Sequence, residues 1–176
     1  VSLASARERP HILLQSTTST QNSGLLEAIL PQYTALSGTE VRVVAVGTGQ
    51  ALRNARNGDG DVVLVHARAQ EEAFVAAGWG LERHDVMFND FVLIGPQDAP
   101  ADVKSAANVE PPRFNPYSAI VVNPDRHPHV NKDAAQDFVA WLTGPGGQAA
   151  IAAYRVGGQQ VFFPLAQPGG ANSTRP

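Results

Sequence analysis

The chain has 176 residues and a mass of 18.6 kDa, the size of one domain or at most two. Apolar residues make up 43% and charged residues 16%, which supplies a buried core and excludes an intrinsically disordered chain. A net charge of −3 without any basic run excludes a nucleic-acid surface, and no apolar stretch approaches the roughly 18 residues that span a membrane. Cysteine is absent, which removes disulfides, thiolate metal sites and thiol nucleophiles together.

Val1 to Arg9 starts without Met and without the basic, apolar and small-residue segments of a signal peptide. Residues 1–11 are therefore expected to form an N-terminal extension of a processed or engineered chain. From there strand and helix patterns alternate, which points to α/β architecture. Ile12–Gln15 is a short apolar run followed by the hydroxyl-rich STTSTQNSG, Ser16–Gly24. Leu25, Leu26, Ile29, Tyr33 and Leu36 recur at helical spacing, and Gly38 stands where a helix C-cap belongs. Pro31 inside that pattern is expected to kink or shorten the helix. Val41–Val46 is a β-branched strand that leads into GTGQALRNARNG, a Gly-rich turn and a short helix. Val62–Val65 is a third strand entered through GDGD, Ala69–Ala77 a helix ended by Gly78, and Phe91–Ile94 a fourth strand that stops at Gly95-Pro96.

Gln97–Phe114 is rich in proline and small residues and reads as a linker or long surface loop. Ala119–Val122 is a further buried strand. Lys132–Leu142 is an amphipathic helix carrying Ala135, Phe138, Val139, Trp141 and Leu142, closed by Gly144-Pro145. A short helix over Gln148–Tyr154 and an apolar patch at Val161–Phe163 follow, and residues 166–176 are expected to be a disordered tail.

Two strand-to-helix turns concentrate small hydroxyl residues: Thr17, Thr18, Ser19 and Thr20 after the first strand, and Gly47-Thr48-Gly49 after the second. At the carboxyl ends of parallel strands such turns lie where ligands bind. Helix N-termini there offer free N–H groups and partial positive charge, and Ser and Thr add neutral donors, so the pair forms an anion site that needs no cation. A Ser/Thr cluster before a helix is ordinarily a plain N-cap. Its recurrence at consecutive junctions brings the anion reading level with the cap.

The segments STTSTQNSGLL, VRVVAVGTGQAL, NGDGDVVLVHARAQEEAFVAAGWG, RHDVMFNDFVLIGP, FNPYSAIVVNPDRHPHVN and the late FFP follow in unbroken order from about Ile12 to Pro164. They resemble the substrate-binding component of bacterial tungstate ABC transporters. The resemblance implies a type II periplasmic-binding fold, in which two α/β lobes joined by crossing strands clamp a tetrahedral oxyanion. It places Thr17, Thr18, Ser19 and Thr48 on the first-lobe anion contacts. It further implies tungstate or molybdate as ligand without a cofactor, an ABC transporter permease as partner, and a periplasmic or extracellular location with membrane association through that transporter. The chain departs from the family between Ile94-Gly95-Pro96 and Phe114-Asn115-Pro116-Tyr117. The family carries there a second lobe of roughly a hundred residues, with an Arg in an SRGDDSGTH-like motif that this sequence lacks.

The expected architecture is thus a three-layer α/β lobe with a mainly parallel sheet of about five strands flanked by helices. Residues 12–96 and 114–165 form the single lobe, 97–113 form a linker replacing the second lobe, and Phe91–Ile94 and Ala119–Val122 lie side by side. The short Pro-rich link leads to the expectation of a homodimer exchanged from Phe114 onward.

Other chemistry is poorly supported. His127-Pro128-His129 lacks a third ligand at metal spacing, and His66 reads as a satisfied polar group at a strand end. Asp59 and Asp61 in GDGD read as turn residues, and together with Asp90 they would repel an oxyanion. GTGQAL lacks the Lys of a Walker motif, and no GxSxG occurs. The expected function is oxyanion binding for ABC-transporter uptake, without catalysis and with weakened affinity in a lone lobe. The alternatives are a scaffold lobe with little ligand affinity and a small phosphate-binding α/β hydrolase.

Overall fold

The computed structural model describes residues 9–90 and 114–166. The strand expected over Phe91–Ile94, the linker 97–113 and all but the first residue of the tail at 166–176 lie outside the described residues, as do residues 1–8 of the N-terminal extension. In chain order the elements are β1 (His11–Thr17), α1 (Thr18–Asn22), α2 (Leu25–Ser37), β2 (Glu40–Val46), α3 (Thr48–Arg56), β3 (Val62–Val65), α4 (Arg68–Ala76), β4 (Gly80–Asp90), β5 (Phe114–Val122), α5 (Lys132–Thr143), α6 (Pro145–Ala153) and β6 (Phe163–Pro164).

One six-stranded sheet carries the order β2-β1-β3-β5-β4-β6. Alternating strand residues face opposite layers, as the pleat requires. Ile12, Leu14, Val62, Leu64, Ala119 and Val121 pack beneath α2, α5 and α6, whereas Val63, Val65, Ile120 and Val122 pack with Ala51, Leu52, Ala55 and Phe74 of α3 and α4. The three-layer α/β reading therefore holds.

Two details differ from expectation. The sheet is mixed: β1 runs parallel to β2 and β3, but β5 is antiparallel to both β3 and β4, and β6 is antiparallel to β4. Parallel neighbours need a crossover; α2 and α3 supply it in the first half, whereas β5 re-enters the sheet at Phe114, the register partner of Asp90 where β4 ends. Strand β4 is Gly80–Asp90, which lies ahead of the segment expected to be extended. Its polar sequence and two register shifts break the alternation that would have marked it.

Pro31 does not end α2, which continues to Ser37 with Pro31 on its exposed side. The helix stops at Gly38, whose φ of 76° admits the left-handed cap geometry. Tyr33 ties α2 to α5 through ring contacts with Phe138 and Trp141 at 5.0 and 5.3 Å. No helix among the described residues is long and apolar enough to cross a membrane.

Candidate oxyanion site

The register of the parallel strands brings the two hydroxyl-bearing turns together. Thr17 pairs with Val46 and Ser16 with Leu64, so β1, β2 and β3 end at one edge. Beyond that edge lie Thr18–Thr20, Gly47–Gly49 and His66. The antiparallel β5 delivers its opening residues to the same edge, because Ser118 pairs with Val65. Tyr117 and Asn115 thereby stand beside the turns, and Asn89 of β4 pairs with Asn115.

The four residues expected to contact an anion separate into two kinds. Thr17 is buried at 3% exposure and acts as the N-cap of α1; its Oγ1 accepts from the Thr20 N–H and bonds the hydroxyls of Ser19 and Thr20 at 3.0 and 2.7 Å. It organises the turn from within. Thr18 and Ser19 are exposed, and Thr48 is half-buried. Ser19 Oγ lies 3.0 Å from Thr17 Oγ1 and 3.5 Å from His66 Nε2, while the hydroxyls of Thr18 and Thr48 have no partner among the described residues.

The second turn is the more open of the two. The N-cap of α3 is Gly47, which provides no side-chain cap, and the first backbone bonds of the helix run from Gln50 and Ala51 to the Gly47 carbonyl. The N–H groups of Thr48 and Gly49 are thus left facing outward, with the helix dipole behind them. Arg53 folds back along α3, held by two hydrogen bonds to Gln50 Oε1, and its Nη1 lies near Gly49. A guanidinium therefore borders a turn that needs no cation by its own chemistry.

Sequence reasoning missed Tyr117 and its neighbours. Burial pushes the Tyr117 phenol above its ordinary pKa, and hydrogen bonds with Thr20, Asn89, Asn115 and Ser19 oppose that rise. The phenol stays protonated, and its ring packs against His66 with centroids 4.7 Å apart. Asn115 donates to Asn89 across the β4–β5 ladder. The site is a band of neutral donors that continues onto the two antiparallel strands. The signal in the sequence was FNPY, quoted for its resemblance but not for its chemistry.

The remaining candidates lie elsewhere. His127 and His129 bond the backbone carbonyls of Arg56 and Gly58, and no group of three metal-ligating side chains occurs among the described residues. Asp61 accepts from the N–H groups of Leu13 and Asn131, at the end of β3 opposite the site. A groove of about 840 Å³ between α2 and β2, lined by Arg9, Glu27 and Glu40 among apolar side chains, lies apart from these turns.

An open α/β sheet with two donor-rich turns at its carboxyl edge defines the class of the molecule: a lobe of the type II periplasmic-binding fold. The PBP superfamily domain profile matches residues 4–110. A tungstate-binding protein, TupA, of Peptoclostridium acidaminophilum is 58% identical over 93 residues, which cover 53% of this chain and 32% of that protein. A Haloferax volcanii protein named for anion binding in an ABC transporter is 30% identical over 246 residues, covering 88% of this chain and 72% of the relative. Among solved structures, the tungstate-binding protein TupA of Desulfovibrio alaskensis G20 superposes with a TM-score of 0.81 at 30% identity, over 90% of this chain and 100% of that one. The tungstate ABC transporter structure from Geobacter sulfurreducens gives 0.73 at 31% identity, over 82% and 98%. The chain belongs to the PBP superfamily, and within it to the family of tungstate ABC transporter substrate-binding components. It spans about a third of the length of the Peptoclostridium protein that it matches.

Proposed function

We propose that this chain is the first lobe of an extracytoplasmic oxyanion-binding protein that takes tungstate, with molybdate as its near-isostere, and serves an ABC transporter permease. The observation that carries the reading is the alignment of two hydroxyl turns at one sheet edge, with the α3 N-terminus uncapped. The exposed donors are Thr18, Ser19 and Thr48, and Thr17 shapes the first turn. Neutral donors suit an anion that must later be released, because a buried salt bridge carries a large desolvation term. A donor-only site also penalises the proton that phosphate retains.

The lobe boundaries rest on the same reading: residues 12–96 and 114–165 form the lobe, and 97–113 take the place of a second one. The Haloferax alignment supports this, since its 246 positions exceed the 176 residues of the chain and the relative holds residues without counterpart here. The protein binds and does not catalyse. Ser19 and His66 stand near one another, yet no carboxylate among the described residues is bonded to the imidazole as an orienting third group. The homodimer of this reading brings the anion turns of two copies face to face around one dianion.

Titration calorimetry with tungstate, molybdate, sulfate and phosphate tests the reading. Tungstate and molybdate are expected to bind, and Ser19→Ala and Thr48→Val each to weaken tungstate by about tenfold. Equal affinity for all four anions, or indifference to both substitutions, would reject it.

A further inference from the structure

His66, which reads in the sequence as a satisfied polar group at a strand end, stands at the anion edge beside Ser19. It follows β3 directly, is half-buried, and faces Ser19 across the mouth between the first and third parallel strands. The separation of 3.5 Å between Ser19 Oγ and His66 Nε2 lies at the outer limit of a hydrogen bond. It is also a spacing at which two donors reach one oxygen or two oxygens of the same tetrahedral anion. The imidazole has no other hydrogen-bond partner among the described residues, and its plane is set by packing on Tyr117. Tyr117 is in turn only 2% exposed and is held by its own hydroxyl contacts.

The backbone beneath His66 is equally well fixed. Glu71 is fully buried, and its Oε1 accepts from the N–H of Ala67, the residue after His66, while its Oε2 accepts from Arg83 and Ser118. An exposed strand end would not need a buried carboxylate to hold its next amide.

We propose that His66 contacts the bound oxyanion, donating from Nε2 beside Ser19 Oγ, with Tyr117 and Glu71 as the residues that position it. The inference rests on the oxyanion reading above and adds to it an imidazole N–H donor beside the Ser19 hydroxyl. The nearby charged groups are engaged elsewhere: Glu71 is bound to Arg83 and Ser118, Asp85 pairs with Arg83, Arg68 pairs with Glu72, and Arg53 is held by Gln50.

The test combines affinity with a spectroscopic probe of the ring in the unmodified protein. Calorimetry with sodium tungstate is expected to show binding. His66→Phe, which keeps the packing on Tyr117, is expected to bind about tenfold more weakly. His66→Asn, which restores a neutral donor, is expected to recover part of the affinity. The His66 ring resonances, followed by NMR at constant pH, are expected to move on addition of tungstate. Tungstate binding that His66→Phe leaves unchanged, or ring resonances that tungstate leaves in place, would overturn the inference while sparing the oxyanion reading. Absence of binding by any of the four anions would overturn both.

Discussion

A carboxylate removed from water is tolerated only when its lone pairs are occupied by donors. Glu71 meets that condition with the Ala67 N–H at 2.6 Å, Arg83 Nε at 2.7 Å and Ser118 Oγ at 2.6 Å. Burial alone would lower the Arg83 pKa, but Glu71 and Asp85 more than offset it and hold the guanidinium charged. Glu71→Ala is expected to destabilise the fold by about 3 kcal/mol, since it takes one of two carboxylate partners from Arg83 and leaves the Ser118 hydroxyl and the Ala67 N–H at the start of α4 unpaired. Chemical denaturation measures that loss. Tyr33 offers a contrast, because its charge state is silent at neutral pH. Burial first, and then its hydrogen bond to Asp137, push the phenol up to about 12. The folded state thus favours the protonated ring. The stability this contributes is fully present below pH 10, roughly the unfolded value, and is lost as pH rises toward 12. Thermal melts in that interval should fall more steeply for the native chain than for Tyr33→Phe. At this scale the sequence was only partly legible. The hydroxyl-rich turns were visible as composition, but composition does not say which hydroxyl is spent. Thr17 lies inside the turn it caps, and His66 and Tyr117 come beside the hydroxyl turns only when β3 and the antiparallel β5 are laid side by side.

Among the elements, those with a single dominant period were readable from the chain. Helix α5 carries Ala135, Phe138, Val139 and Leu142 on one buried stripe, and β3 is three valines and a leucine, all four buried. Strand β4 was not readable, because Glu82, Arg83, His84 and Asp85 interrupt it and Arg83 finds its partners on α4 and within its own strand. Only the tertiary pairing with β5 makes that polar stretch extended. The junction of α5 and α6 shows how closely two elements can meet. A Cβ on Gly147 would lie 2.5 Å from the Trp141 carbonyl oxygen and 2.6 Å from Leu142 Cα, both backbone atoms with no room to give. Gly147→Ala is therefore expected to cost about 1–3 kcal/mol, as overpacking of a rigid contact does. Gly38 has no atom within reach of an added Cβ, so Gly38→Ala should cost only the backbone term of a left-handed residue, about 1 kcal/mol. Parallel urea titrations of the two variants rank them, and the reverse order would contradict this packing.

At the scale of the molecule, the proposed anion site lies along one edge of a single sheet. A closed two-lobed clamp surrounds its ligand, whereas the donors proposed at Ser19, Thr48 and His66 line that one edge. Loss of two or three charge-assisted hydrogen bonds, each worth about 1.5–3 kcal/mol, corresponds to several decades of affinity. Calorimetry should accordingly return a tungstate constant far weaker than that of a two-lobed relative measured beside it. Light scattering over a hundredfold concentration range, with and without tungstate, separates a lone lobe from a ligand-bridged pair; the pair is expected only with tungstate present. The α/β layers could be anticipated from the alternating strand and helix patterns, but the reversal of β5 could not, because nothing local in Phe114–Val122 encodes a direction.

That reversal has a consequence for how such a chain can change over evolutionary time. Asp90 and Phe114 are opposite one another in the β4–β5 ladder, so the two ends of whatever joins them are clasped by the sheet itself. The cost of closing a loop between fixed ends grows only slowly with its length, by about 0.6 kcal/mol for each doubling. The seam is therefore a permissive graft point. A guest domain of ordinary size can be spliced in or excised there while the host sheet keeps its pairing. The same seam should accept an engineered reporter domain, whose signal would then be wired directly to Asn89, Asn115 and the oxyanion edge.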